Sequence, residues 1–154
     1  MDSRTFQLYA IGSVKENSSN KDGVKHLEIN EEYRDALDQL HTFSHVIVLW
    51  WADQNDTNGD RSIMSGIIPY SDDDLEVGIF ATRSAMRPNP ISTSVCEIQE
   101  LNEEDGIIEI GDIDADVGTP ILDLKPYIPV CDRVEDVLVP EWIPEEWNEW
   151  WLPE

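Results

Sequence analysis

Positive charge is what this chain has least of. Ten Lys and Arg stand against 33 Asp and Glu, which sets the formal net charge at −23 at pH 7. Nucleic-acid binders normally displace counterions from phosphate with a basic face, and no such face exists here as a whole-chain property. Three readings of the imbalance stay open. One is an acidic, lysine-poor surface suited to a salt-rich cytoplasm. Another is a small-molecule substrate that needs no basic footprint. The third is a local positive window at Arg61, Arg83 and Arg87. Cysteine is nearly missing as well. Cys96 and Cys131 lack CxxC spacing, so neither a disulfide framework nor a metal site is suggested, and both read as small buried hydrophobes. Long apolar runs are absent: the longest, residues 46–52, is far too short to cross a bilayer. No basic region followed by an apolar one opens the chain, so a cytoplasmic protein without a membrane partner is expected. No GxGxxG follows a strand, which excludes the usual dinucleotide-like cofactor turn. No internal repeat or low-complexity segment is visible. What remains suffices for a folded domain, since 154 residues at 40% hydrophobic content can bury a substantial core.

The acidic character breaks at residues 77–96, which contain no Asp or Glu. Inside them lies Phe80-Ala81-Thr82-Arg83-Ser84-Ala85-Met86-Arg87-Pro88-Asn89-Pro90-Ile91. Arginine offers a fixed fork of donors for a carboxylate, a phosphate or a base, and proline fixes the backbone angles that aim such groups. The combination reads as a ligand site. Asn89 in its Pro-Asn-Pro frame is either a positioned amide, able to donate and accept, or a turn residue satisfying its own backbone. A second run, Gly118-Thr119-Pro120-Ile121-Leu122-Asp123-Leu124-Lys125-Pro126-Tyr127-Ile128-Pro129, sets one of only four lysines between a carboxylate and a phenol. Asp123, Lys125 and Tyr127 alternate along an extended segment and so project to one face. There they make either a proton-handling cluster or a structural ion pair.

Along the rest of the chain, residues 5–14 alternate apolar and polar in part and predict a half-buried strand. Residues 15–23 predict a turn-rich loop. Asn30 is placed to cap a helix through its side chain, with Glu31 and Glu32 at the positive end of the dipole. Tyr33, Ala36, Leu37 and Leu40 then recur at helical spacing, giving one short amphipathic helix that ends near His41. Residues 44–52 predict a strand buried on both faces or nearly so, and residues 53–74 a polar loop near a binding cleft. Residues 76–81 return to strand. The segments 94–101 and 107–112 flank Asn102-Glu103-Glu104-Asp105-Gly106, a hairpin signal. Many short strands and one helix point to a mainly all-β fold, a small barrel.

The two quoted runs together resemble the TsaA-like family, also called the TrmO or YaeB family, whose pattern is approximately FATRSPxRPNPIGLS followed by DGTPxLDIKPYxP. The resemblance extends more weakly to Tyr9-Ala10-Ile11-Gly12-Ser13-Val14 and to Phe43-Ser44-His45-Val46-Ile47-Val48-Leu49, and so covers residues 5 to about 133. Bacterial members methylate a threonylcarbamoyl-adenosine beside the anticodon of tRNA. The resemblance therefore implies a TsaA-like β-barrel with a packed helix, assembled as a homodimer, that uses S-adenosylmethionine on tRNA. It places the cofactor against Phe80, Ala81, Thr82 and Arg83 on one side and Asp116, Gly118, Thr119 and Leu122 on the other. Arg83 or Arg87 would pair the methionyl carboxylate or the threonyl carboxylate of the substrate. Asn89 would orient the base, while Asp123, Lys125 and Tyr127 handle protons. His45 matches a family position and is either a proton acceptor or a satisfied core residue. The chain departs from the pattern at Ala85-Met86, where Pro and an aromatic or His are common, at Ser92-Thr93-Ser94, where Gly-Leu-Ser is usual, and at Val117, where an Asp usually precedes Gly-Thr-Pro. All three departures lie beside the expected site.

Residues 1–133 are thus expected to form the barrel domain, and residues 134–154 a Trp-rich tail. Trp142, Trp147, Trp150 and Trp151 cluster in that tail, and Pro140 and Pro144 can start short helical turns. The rings either pack on their own or a partner subunit or offer a stacking platform for a base. Two function classes follow. One is a methyltransferase acting on tRNA or on a small acceptor. The other is a non-catalytic module that binds S-adenosylmethionine.

Overall fold

Strands with β-branched residues at every second position bury one side and wet the other, and that alternation builds the core of this chain. The computed structural model describes residues 3–17 and 24–150. By internal contacts the chain divides into two compact units, Met1–Trp51 with Thr93–Tyr127, and Ala52–Ser92 with Ile128–Glu154.

The first unit is a barrel. Its strands are β1 (Gly12–Glu16), β2 (Lys25–Ile29), β3 (His45–Trp51), β6 (Ile91–Asn102), β7 (Ile107–Ile110) and β8 (Pro120–Pro126). They close in the order β1-β2-β7-β6-β3-β8. Closure leaves no edge strand open to pairing with another chain. β3 and β8 run antiparallel with Val46 opposite Pro126 and Val48 opposite Leu124. Val14, Leu27, Val46, Val48, Cys96, Ile108, Ile110 and Ile121 are fully buried inside, each larger aliphatic contributing about 1.5–3 kcal/mol by leaving water. The hairpin joins β6 to β7 with Leu101 opposite Ile108. Gly106 turns it at φ +70°, a left-handed conformation suited to glycine, and its carbonyl accepts from Ile29 N at 2.7 Å.

Several expectations are corrected. Residues 3–10 are exposed and form no strand. Phe6, Leu8 and Ala10 alternate with Thr5, Gln7 and Tyr9, but these residues join no strand, and Phe6 stays 78% exposed. β1 begins only at Gly12. The expected helix is two 3-10 turns, Glu31–Leu37 and Leu40–Thr42, separated at Gln39 with φ +67°. Asn30 makes no side-chain cap; its amide donates to the Ala10 carbonyl at 3.2 Å. In β3 only Val46 and Val48 are fully buried, and the other five residues are half-buried. Cys131 is exposed, unlike Cys96. The predicted loop at residues 15–23 lies partly outside the described residues.

The second unit holds the polar residues that follow β3, and they are more structured than their composition predicts. Asp53–Asn55 forms a 3-10 turn and α1 (Asn58–Arg61) a single helical turn. Thr57 starts α1 with a capping box: its hydroxyl accepts from Asp60 N at 3.1 Å, and the Asp60 carboxylate accepts from Thr57 N at 3.2 Å. β4 (Ser65–Ile67) and β5 (Glu76–Gly78) pair antiparallel, and the 3-10 turn Ile79–Ala81 follows. Of the C-terminal residues, α2 (Pro129–Asp132) is one helical turn. Trp142 and Trp147 pack against Tyr70, with ring centres 6.4 and 4.8 Å away. The Arg133 guanidinium lies 4.7 Å from the centre of the Trp150 ring. Trp151 lies outside the described residues. Among the described residues, no helix is long and apolar enough to cross a membrane and no group of three His, Cys, Asp or Glu could hold a metal ion.

Candidate ligand-binding residues

The sequence-derived site residues fall into both units. Phe80, Ala81, Thr82, Arg83, Arg87 and Asn89 belong to the second; His45, Asp116, Gly118, Thr119, Leu122, Asp123, Lys125 and Tyr127 belong to the barrel unit. Each group has its own geometry.

In the second unit the arginine loop is tied down from within. Thr82 closes the preceding turn, its N and hydroxyl both donating to the Ile79 carbonyl at 3.1 and 2.7 Å. The same hydroxyl accepts from Ser84 N at 3.2 Å. Arg87 Nη1 donates to the Thr82 carbonyl at 3.0 Å and to the Ser84 carbonyl at 3.3 Å. Its guanidinium sits 5.9 Å from the centre of the Phe80 ring, within cation–π reach. Arg87 thus spends one nitrogen on the loop, while its Nε and Nη2 have no hydrogen-bond partner among the described residues. Phe80 itself is 78% exposed. An exposed ring beside a half-buried guanidinium can stack a flat heterocycle and pair an anion, in a segment without a single carboxylate.

The Pro-Asn-Pro turn is held from outside the motif. Pro90 is fully buried and its carbonyl accepts from Ala52 N at 2.8 Å; the Asn89 carbonyl accepts from Ile91 N at 2.7 Å. Arg61, at the end of α1, donates from Nε to the Pro88 carbonyl at 2.8 Å and from Nη2 to Asn89 Oδ1 at 3.0 Å. Its Nη1 pairs with Asp56 at 3.2 Å. Sequence reasoning counted Arg61 only as a charge. Its role as a clip had no local signal, because the groups it holds lie 27 and 28 residues onward.

In the barrel unit, the run 116–122 enters β8 through a tight turn. Thr119 N donates to the Asp116 carbonyl at 3.1 Å, and Gly118 N to the Val14 carbonyl at 2.8 Å. Gly118 takes φ +93°, which a side chain would resist, and no neighbour lies within 4 Å of where its Cβ would stand. Asp116 and Gly118 are exposed, Thr119 is buried and Leu122 half-buried. Exposed backbone at such a turn can hydrogen-bond the edge of a base.

Further along β8 the alternation brings Asp123 and Lys125 together at 2.8 Å. The second Asp123 oxygen accepts from Leu124 N at 3.0 Å. The hydrogen bond from Lys125 to Asp123, with their mutual attraction, pushes the lysine above its ordinary value. Lys125 is therefore a donor and a positive charge at neutral pH rather than a proton acceptor. Tyr127 lies one residue past the end of β8. Its N donates to the His45 carbonyl at 3.1 Å, and its phenol makes no hydrogen bond to Asp123 or Lys125. His45 Nδ1 lies 2.8 Å from the Ser44 hydroxyl. Asp123 also borders an apolar cavity of about 310 Å³ lined in part by Tyr33, Leu37, Phe43, Leu124 and Pro126.

Comparison with known proteins gives concordant matches. The family model described as the tRNA-methyltransferase O N-terminal domain matches residues 13–133. A probable S-adenosyl-L-methionine-binding protein of Archaeoglobus fulgidus is 40% identical over 109 residues, 70% of this chain and 27% of that protein. The tRNA (adenine(37)-N6)-methyltransferase of Escherichia coli is 34% identical over 116 residues, 74% of this chain and 48% of that one. A crystal structure of TrmO from Pseudomonas aeruginosa superposes with TM-score 0.66 at 27% identity, covering 88% of this chain and 62% of the other. The chain thus spans about half or less of the length of these two curated relatives.

Proposed function

Given that this chain belongs to the tRNA-methyltransferase O N-terminal domain family, we propose that it is an S-adenosylmethionine-dependent methyltransferase acting on adenosine N6 in tRNA. The acceptor in this reading is the threonylcarbamoyl-adenosine beside the anticodon. The observation that carries the reading is the arginine loop: Arg87 fastens two loop carbonyls with one nitrogen and keeps its other edge for an anion beside the exposed Phe80 ring.

These residues fit the proposed cofactor by their chemistry. Phe80 offers a face for the adenine, and the Arg87 edge, or Arg83, pairs the methionyl carboxylate. Residues 77–96 themselves contain no carboxylate. Asp116, Gly118, Thr119 and Leu122 are candidates in the barrel unit for backbone contacts to a nucleoside, tested separately. Bound S-adenosylmethionine supplies a methyl group on a sulfonium that loses its charge as the methyl leaves. The chain's part is to hold donor and acceptor in line, which by itself is worth several kcal/mol of barrier. In the second unit Asn89 orients the acceptor base; in the barrel unit Asp123 with Lys125 is a separate candidate pair of charges, tested on its own. His45 and Tyr127 remain candidates for moving the proton.

The proposed approach for tRNA at a net charge of −23 is a local window at Arg83 and Arg87, inside the carboxylate-free residues 77–96, with Arg61 beside them paired to Asp56. A second copy of the chain is the proposed cover for the exposed apolar residues Val134, Val137 and Leu138.

The test incubates the pure protein with methyl-labelled S-adenosylmethionine and total tRNA, with and without prior threonylcarbamoylation, at low and high salt. Label confined to threonylcarbamoylated tRNA is the expected result. Label in both preparations overturns the modified acceptor. Binding of the cofactor by calorimetry with no label under any condition overturns catalysis on tRNA and leaves a binding module.

A further inference from the structure

Resting on the reading of the arginine loop as the recognition site, we infer that Arg61 is a positioning residue. It fixes the Asn89 amide as a hydrogen-bond donor, so the substrate group met at Asn89 is an acceptor: a ring nitrogen or carbonyl oxygen of the base, not an amine. The argument starts from the three directions in which the Arg61 fork is used. Nε holds the Pro88 carbonyl at 2.8 Å, Nη2 holds Asn89 Oδ1 at 3.0 Å and Nη1 holds Asp56 at 3.2 Å. A guanidinium is planar and its donors diverge at fixed angles, so the two bonds to Pro88 and Asn89 orient one another.

An amide has two ends, and hydrogen bonding decides which faces which way. Rotating the Asn89 side chain by half a turn would set its NH2 against an N–H of Arg61, donor against donor. The arginine therefore excludes that orientation. The flanking prolines remove the alternative of moving the backbone, since each fixes its own φ and Pro90 also restricts Asn89. Pro90 is fully buried, which anchors the turn. What the loop presents is Nδ2. Asn89 is exposed, and Nδ2 has no hydrogen-bond partner among the described residues. The guanidinium charge on Oδ1 draws electron density from the amide and makes Nδ2–H a stronger donor. Such a group orients an acceptor and takes up no proton, which separates Asn89 from the residue that receives the proton of the methylated amine.

α1 exists in this account to deliver the fork. Its capping box at Thr57 and Asp60 fixes the single turn that ends in Arg61, and Asp56 immediately precedes that cap. A lysine at position 61 would keep the charge opposite Asp56 and lose the two-pronged grip.

The test uses the whole chain. Asn89→Asp keeps an oxygen for Arg61 and deletes the donor. It is expected to melt within error of the unsubstituted protein while kcat/KM for tRNA falls about 100-fold. Arg61→Ala is expected to cost about the same with Asn89 present and nearly nothing in an Asn89→Ala background, because the two act as one unit. Unchanged turnover in Asn89→Asp, or independent multiplicative losses in the cycle, overturns the inference. A readout independent of turnover is the Asn89 side-chain NH2 pair in a nitrogen–proton correlation spectrum, assigned by its disappearance in Asn89→Asp. Its two protons should shift in Arg61→Ala, and equally in Arg61→Lys should the alanine variant not fold. If no tRNA is methylated by the unsubstituted protein, the function proposed above fails on its own. The NH2 pair then decides the present inference, and resonances indifferent to Arg61 refute it.

Discussion

Lys25 and Ala115 stand 90 residues apart in sequence and are joined by one hydrogen bond, the Lys25 ammonium donating to the Ala115 carbonyl at 2.9 Å. The same nitrogen reaches the Ile113 carbonyl at 3.2 Å, and Ile113 and Ala115 are both buried. β2 thereby holds the stretch of chain that leads into the Gly118 turn. Lys25→Met keeps most of the stem and removes the donors, leaving two inward carbonyls without their partner. Stability should fall by about 1–3 kcal/mol, the usual cost of unpairing a buried polar group. Urea titration followed by tryptophan fluorescence checks this, with the slope m unchanged and the midpoint lowered. A midpoint that does not move removes Lys25 from the account of how the turn is held.

The two cysteines are expected to behave differently because their surroundings differ. Burial, with Asp112 and Asp114 adding repulsion, pushes the Cys96 thiol up from 9.0 to about 12, while Cys131 is exposed. A thiol-labelling reagent at pH 8 should therefore modify Cys131 alone in the folded protein and both residues in urea. The shift also has a stability consequence. The unfolded chain ionises Cys96 near pH 9 and the folded one does not until about 12, so burial of the neutral thiol becomes a growing disadvantage between those values. Below pH 9 the contribution is intact. Cys96→Val should flatten the decline of stability from pH 9 upward relative to the unsubstituted protein, measured by denaturant titrations at each pH. Parallel curves for the two proteins would refute the assignment.

How legible the fold was depended on whether the deciding contacts were local. The β6–β7 hairpin could be read because Gly106 marks its own left-handed turn, and the strand expected at residues 44–52 because a run of β-branched and aromatic residues favours extended backbone; β3 covers His45–Trp51 of it. Residues 5–11 could not, since alternation announces a strand only where a neighbouring backbone exists to pair with it. The helical spacing of Tyr33, Leu37 and Leu40 was visible, but its division at Gln39 depends on a positive φ that no spacing reveals. For the candidate site, the missing carboxylates and the prolines drew attention to the arginine loop, and alternation placed Asp123 and Lys125 on one face, where they form an ion pair. Arg61 escaped because its partners are a distant carbonyl and a distant amide.

Arg87 is predicted to matter for ligand affinity more than for folding. Its Nη1 bridges two carbonyls of its own loop, so the loop's shape and the position of its remaining edge depend on one planar group. Arg87→Lys retains a charge but cannot grip both carbonyls and offer a second edge. The Kd for S-adenosylmethionine should rise about 10-fold or more, equivalent to losing one charge-assisted hydrogen bond. Titration calorimetry reads this directly, and the melting temperature should change little because the loop lies outside the barrel core. An unaltered Kd would restrict Arg87 to shaping the loop.

The Asp123–Lys125 pair separates a catalytic from a structural role cleanly, because an exposed ion pair contributes little to folding. The two side chains are 46% and 61% exposed, and salt screens such a pair further. Lys125→Met and Asp123→Asn should accordingly leave the melting temperature of the protein almost unchanged. If the pair supplies charge to the reaction, either substitution lowers kcat by about 100-fold with cofactor affinity preserved. The raised Lys125 adds a pH signature. Its folded-state value lies above the ordinary 10.5, so the lysine stays charged throughout the neutral range, and any activity that depends on its charge stays level until strongly alkaline pH. A pH–rate profile that falls near neutrality and is unchanged in Lys125→Met would assign the titrating group elsewhere. Equal rates in all three proteins would reduce the pair to a surface contact between neighbouring positions of β8.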